Sequence, residues 1–178
     1  MTNVDVVGTG PLADTWRGSL ASDVEATVIV VDVRPEPARV TELSDEQIER
    51  SWERPMQAVI NGLQAAHERG ARRIVVVVPT TGMSGGAQYA ATAAMAEAAR
   101  VLVKSAARQW GSSGITVNAV AVDPQVFGVD ATISGPVSIA PRALDGAVDP
   151  SPTVQWLCSG ASAHVTGQTV VCDGGLWM

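Results

Sequence analysis

Short runs of β-branched residues alternate along this chain with longer, Ala-rich amphipathic stretches. The runs are Val4–Val7, Thr27–Val33, Arg73–Val78, Ile115–Val122 and Gln168–Cys172. Thr27–Val33 reads TVIVVDV and Arg73–Val78 reads RIVVVV, apolar on both faces. Strands inside a parallel sheet need that pattern, because helices cover them from both sides. Between the runs, Leu12, Trp16 and Leu20 stand four apart and predict a helix over Pro11–Ala21. Ser44 with Gln47 forms a capping box for a helix that runs towards His67, is interrupted at Pro55 and ends at Gly70. Tyr89–Gln109 is rich in Ala and poor in helix breakers, so it predicts a long helix. Its stripe of Ala90, Ala94 and Ala98, with Ala91 and Ala99, suits a close approach to another backbone. PTTGMSGG before it and residues 123–150 after it read as a loop and as a loop or lid. Gly111–Gly114 predicts a turn and Ser151–Cys158 a short helix. Strand and helix alternating in this way predict an α/β fold with helices on both faces of a mostly parallel sheet of about five strands.

The 178 residues fit one domain spanning 1–178, since a chain of this size buries roughly 70% of its unfolded surface. The net charge of −6 argues against a nucleic-acid partner, which needs a dense cationic face to neutralise phosphates. The longest apolar runs, Val28–Val31 and Ile74–Pro79, fall far short of the ~20 residues of a membrane span. The opening MTNVDVVGTG has no basic stretch leading into an apolar one, so a cytoplasmic protein is expected. Cys158 and Cys172 have no CxxC partner and no His pair nearby, which predicts two reduced thiols and no metal site.

Ligands of α/β sheets sit beyond the carboxyl ends of the strands. There the chain offers Gly8-Thr9-Gly10-Pro11-Leu12-Ala13 after the first strand and Asp32 at the end of the next. Gly8 and Gly10 allow a tight turn and the approach of a pyrophosphate, while Asp32 is placed to accept ribose hydroxyls. A plain strand-to-helix turn explains the same residues, and Pro11 removes one N–H donor. Tyr89 is the one tyrosine, at the start of the long helix. A phenol there acts as a proton donor if a cation stands beside it, but one turn on the residue is Ala93. Otherwise Tyr89 is a packing residue. Thr80, Thr81 and Ser84 supply hydroxyls in the preceding loop without an adjacent base. His67 and His164 form no recognisable triad or metal spacing.

Three blocks together resemble the short-chain dehydrogenase/reductase family. ARRIVVVVPTTGMSGGAQYAATAAMAEAARVLVKSAA is similar to its strand, catalytic loop and active-site helix. GSSGITVNAVAVDPQVF is similar to its next strand, where the family usually reads GIRVNAVAPG, and HVTGQTVVCDGG to its closing strand. The resemblance implies a Rossmann-like three-layer fold, here shortened. Family members commonly run to ~250 residues, the size of a full nucleotide-binding domain. Against that pattern this chain has one N-terminal strand–helix unit before TVIVVDV and no room for the two that usually complete the adenosine side.

The resemblance places the catalytic Tyr at Tyr89, the catalytic Ser near Pro79 or Thr80, and the helix Asn between Pro55 and Asn61. The Lys of the family's YxxxK is Ala93, the Gly-rich turn is GTGPLA, the NNAG is Val33-Arg34-Pro35-Glu36, and the Pro-Gly of the nicotinamide pocket is Val122-Asp123. Tyr89, Thr80 and Ser84 are therefore vestigial catalytic candidates, and Gly8, Gly10 and Asp32 the cofactor-binding ones. The reading that follows is a non-catalytic subunit without a cofactor. It would pair with a complete short-chain dehydrogenase/reductase, or with itself, through the 89–109 helix and the C-terminal strand. The heteromer would act on an alcohol/ketone or 3-hydroxyacyl/3-oxoacyl pair. The alternatives are an oxidoreductase working through Tyr89 with NAD or NADP, and a small-ligand binding protein.

Overall fold

The computed structural model describes residues 1–130 and 149–176. Five parallel strands form the main sheet: β2 (Asp5–Val7), β4 (Ala26–Val30), β5 (Arg73–Pro79), β6 (Thr116–Val122) and β7 (Thr169–Cys172), side by side in that order. Two short segments, β1 (Thr2–Asn3) and β3 (Ala21–Ser22), pair antiparallel beside it. All five expected strands are present; β2, β6 and β7 are trimmed at their starts, β4 is shifted to begin at Ala26 and end at Val30, and β5 extends by one residue to Pro79. The sheet is Rossmann-like, and helices flank it on both faces.

Side chains alternate along the strands and divide the core in two. Ile29, Ile74, Val76, Val78, Val117 and Ala119 face one side, against the helices α3 (Arg54–Glu68) and α5 (Ala90–Trp110). Val28, Val30, Val75, Val77, Val120 and Val122 face the other, against α1 (Pro11–Trp16) and α6 (Ser151–Cys158). Every residue of β5 and of β6 is buried, as the uniform apolar runs require. The strand order advances in one direction without reversal. The step from β2 to β4 passes through α1 on one face, and the step from β4 to β5 through α3 on the other. Two steps in the same direction on opposite faces have opposite hands, so one of them departs from the right-handed rule.

Several local expectations shift. The first helix ends at Trp16, and Leu20 packs from the loop before β3. Ser44 caps α2 (Asp45–Ile48) with both halves of the capping box in place. The interruption at Pro55 is a π-helical turn over Glu49–Glu53 that runs directly into α3. A widened turn accommodates a proline that has no N–H to give to the turn before it. PTTGMSGG is not all loop: α4 (Thr81–Ser84) forms inside it. A Cβ built on Gly82 would lie 2.9 Å from the Glu97 nitrogen and 3.0 Å from the Ala96 Cβ. The close backbone approach to α5 therefore occurs at the Ala93–Glu97 face. It does not use the Ala90–Ala94–Ala98 stripe, where Ala94 is exposed.

At the far edge, Asn118 is fully buried in β6. Its Nδ2 donates to the Val165 carbonyl at 2.8 Å, and its Oδ1 accepts from the Gln168 N–H at 3.1 Å. Cys158 and Cys172 are free thiols; burial pushes the Cys158 thiol up to about 12. Of the expected lid over 123–150, the segment 131–148 lies outside the described residues, and Pro124–Phe127 forms a 3-10 turn. Among the described residues no helix is long and apolar enough to cross a membrane.

Candidate functional site

All five parallel strands end at the same side of the sheet, and the candidate residues gather there. After β2 the chain turns at Gly8 and Gly10, with φ of 121° and 96°. A Cβ on Gly8 would run into the Val30 carbonyl oxygen. Gly8 is thus needed for the approach of the turn to β4, which is a structural role. Nothing lies within 4 Å of a Cβ built on Gly10, so this position opens onto free space. The helix that follows is six residues long and starts with Pro11, and the Arg17 guanidinium reaches back to the Gly8 carbonyl and to Asp14.

Two clefts open around the exit of β4. One, of about 410 Å³, lies between the Thr9–Leu12 turn, the exit of β4 and the 3-10 turn after β6; Phe127 and Gln125 line it. The other, of about 260 Å³, is lined by Arg34, Arg50, Arg54 and Pro55. Asp32 borders both. Gly10 and Asp32 are brought together as the sequence suggests. Arg50 and Arg54 were not singled out: they stand four apart on one helix face, but only the packing of that helix against the β4 exit aims them at Arg34. Arg50 is held by Glu36 through two bonds of 3.0 and 2.9 Å and by Glu46 at 2.6 Å. This hydrogen-bonded guanidinium holds the Glu36 carboxyl below its ordinary value. Arg54 bonds Glu49 at 2.9 Å.

The residues expected as catalytic candidates do not line these clefts. Tyr89 is the residue before α5 and is only 3% exposed. Its hydroxyl accepts a hydrogen bond of 3.1 Å from the Asp130 backbone N–H. The chain after β4 flanks it too: Ala38 N–H donates to the Gln88 carbonyl at 2.7 Å, and Ala38 bridges to Tyr89. Gln88 takes a φ of 62°, uncommon outside glycine. Ala93, one turn into α5, is buried. Thr80 follows β5 and is fully buried; its hydroxyl has no hydrogen-bond partner among the described residues, while its N–H donates to the Val122 carbonyl at 2.9 Å. Ser84 closes α4. Asp123 is buried and caps the 3-10 turn by accepting from the Gln125 N–H at 2.9 Å. Its charge thus serves the turn after β6. His67, expected to be unengaged in chemistry, stacks its ring 4.6 Å from Trp110. No group of three potential metal ligands occurs among the described residues.

The family described as enoyl-(acyl carrier protein) reductase matches residues 31–177. This chain belongs to the short-chain dehydrogenase/reductase family. Curated relatives agree. The 3-oxoacyl-[acyl-carrier-protein] reductase of Staphylococcus aureus (strain Mu50) is 38% identical over 108 residues, 57% of this chain and 43% of that protein. The Pseudomonas aeruginosa 3-oxoacyl-[acyl-carrier-protein] reductase is 34% identical over 130 residues, covering 68% of this chain and 51% of its own length. A peroxisomal 2,4-dienoyl-CoA reductase from Danio rerio is 31% identical over 114 residues, 59% of this chain and 38% of that protein. The chain thus spans about half, or less, of the length of these short-chain dehydrogenase/reductase relatives. The family match begins just beyond β4, so the β2–α1 unit and its glycine turn fall outside it.

Proposed function

We propose that this chain is a non-catalytic subunit that pairs with a complete short-chain dehydrogenase/reductase. The observation that carries the reading is the state of Tyr89: its phenol is buried and already accepts the Asp130 N–H, and Ala93 stands where a cation would have to be. A proton donor must touch its substrate, and catalysis needs groups placed to within about an ångström. A phenol covered by its own chain, with Ala93 one turn on, meets neither demand.

The residues at the strand exits also fit a dinucleotide poorly. Gly8 is taken up by packing against β4, Pro11 offers no N–H, and β2 is the last strand on its side among the described residues. No hydride-transfer step is assigned to this chain alone. The relatives' names suggest 3-oxoacyl or enoyl thioesters as the substrate class of the assembled enzyme, with NAD or NADP held by the complete subunit.

The surfaces expected to meet a partner carry exposed apolar groups: Val101 on α5 is 51% exposed and Val171 on the edge strand β7 is 40% exposed. Purification from the native host tests the reading. A complete short-chain dehydrogenase/reductase should co-elute with the chain and be lost with a Val101→Glu variant. Recovery of the chain alone, as a monomer or homo-oligomer, overturns it. Reduction of a 3-oxoacyl thioester by the isolated chain, abolished by Tyr89→Phe, would favour the catalytic alternative.

A further inference from the structure

We propose that residues 34–39 form an autoinhibitory strap that closes over the start of α5, helps to bury Tyr89 and is poised to open. The inference rests on the reading of Tyr89 as a silenced phenol, and it names the element that silences it.

The strap reads Arg34-Pro35-Glu36-Pro37-Ala38-Arg39. It lies between β4 and the 3-10 turn Val40–Glu42, belongs to no helix and pairs at one residue only. Pro35 and Pro37 fix their own φ and favour extended backbone at Arg34 and Glu36. Neither proline has an N–H to give. The strap is therefore stiff, with few groups to hold it down. Among the described residues, two polar attachments reach beyond the strap and the turn after it. The inner one is the Ala38 N–H, which donates to the Gln88 carbonyl at 2.7 Å where Ala38 bridges to Tyr89. The outer one is Glu36, which accepts two bonds from Arg50 at 3.0 and 2.9 Å and has Gln47 beside it. Of the six residues only Ala38 is buried. A stiff segment fastened at two nearby points lifts as a unit.

The turn beneath the strap is strained. Gln88 takes a φ of 62°, in the left-handed region. A side chain there costs free energy, and the conformation persists only when its surroundings enforce it. One enforcing contact is the Tyr89 N–H, which donates to the Gly86 carbonyl at 3.0 Å. The other is the strap, because the Gln88 carbonyl is the acceptor for Ala38. Tyr89 follows directly and is buried. The turn that carries the phenol is thus held in part by a contact that can be withdrawn. The outer attachment sets the condition for withdrawal. The side chains of Arg50 and Glu36 are 32% and 41% exposed. Ion pairs this open to water are screened by salt, so the strap responds to ionic strength.

The chain has one tyrosine, so nitration with tetranitromethane reads the cover directly, with the modified peptide followed by mass spectrometry. Nitration of the full wild-type chain should be slow beside that of the urea-unfolded chain, and molar salt should speed it. Ala38→Pro removes the inner donor, and Glu36→Gln weakens the outer attachment. Each should speed nitration about fivefold, the equivalent of one lost hydrogen bond. In Glu36→Gln, salt should no longer add to the rate. Glu36 is half-buried at the surface, so this variant should keep the wild-type circular dichroism and carries the test if Ala38→Pro does not fold. Three results overturn the strap: wild type nitrated as fast as the unfolded chain, a rate unchanged in Glu36→Gln, or a rate that rises only together with amide exchange in β5, which reports global unfolding. The subunit reading is decided separately, by co-elution. Carbonyl reduction gained by Ala38→Pro would support the strap while overturning the non-catalytic reading.

Discussion

The β5–α5–β6 centre and the β2–α1 edge are held together in different ways. In the centre, all seven residues of β5 and all seven of β6 are buried, and α5 adds Met95, Ala96, Ala99 and Val103. Many small contacts share the load, so none is indispensable alone. At the edge, β2 pairs with β4 over three residues and α1 buries only Ala13 and Trp16. Trp16 packs there with Val6 and Leu20, next to one glycine turn. The centre lies inside the family match and the edge outside it. What this chain shares with its relatives is therefore its most redundant part. The part outside the match, including the glycine turn, is its most fragile.

The strongest way to break this contrast is to remove one anchor from each region. Trp16→Ala should cost about 3–5 kcal/mol at the edge, and Met95→Ala about 2–5 kcal/mol in the centre. Hydrogen exchange should separate them. The first should speed exchange in β2 and α1 while β5 and β6 stay protected, and the second should lower protection everywhere. Equal loss of protection in β5 from both variants would mean that edge and centre unfold as one unit.

The glycine turn sharpens the same point. Gly10→Ala should cost about 1–2 kcal/mol in thermal melts, because an L-residue is strained at this φ. Gly8→Ala should cost clearly more, since its Cβ also meets the Val30 carbonyl. Matching losses would show that the turn does not depend on close contact with β4.

A smaller effect is expected at Tyr89. Tyr89→Phe removes one hydrogen bond, worth about 1 kcal/mol, and should speed exchange of the Asp130 amide without disturbing β5. An unchanged Asp130 amide would argue against the phenol as an anchor for the chain leaving β6.

The smallest effect lies at the Arg50–Glu36 pair. Glu36 has its pKa lowered in the fold, so its contribution is present above the ordinary value of 4.5 and is lost as pH falls through the depressed folded value. The difference in melting temperature between wild type and Glu36→Gln should be small at neutral pH and vanish in acid. A difference that grows on acidification would reverse the assignment.

The architecture was legible in the sequence because burial on both faces leaves a local mark. RIVVVV and TVIVVDV could serve only as interior strands, and the Ser44–Gln47 box set a helix start to the residue. Other features depend on what packs against what. The helix at Thr81–Ser84 is short and rich in turn formers, and it exists because Gly82 can press against α5. The opposite hands of the first two connections leave no mark in either helix, since amphipathicity does not say which face of the sheet is covered. The same holds at the site. Gly10, Asp32 and Tyr89 stood out by position, but the burial of Tyr89 follows from Ala38 and Asp130, each about 40 residues or more away in the chain. Arg34, Arg50 and Arg54 become a group only once the π-helical turn before Pro55 aims their helix at the β4 exit.

Asn118 has a consequence for assembly of the sheet. Its amide adds side-chain rungs to the β6–β7 ladder, one to Val165 and one to Gln168. A slip of β7 by a single residue would leave a fully buried amide with neither bond, and would turn every β7 side chain to the opposite face. The side chain thus works as an indexing pin: β7 either seats in one position or does not seat at all.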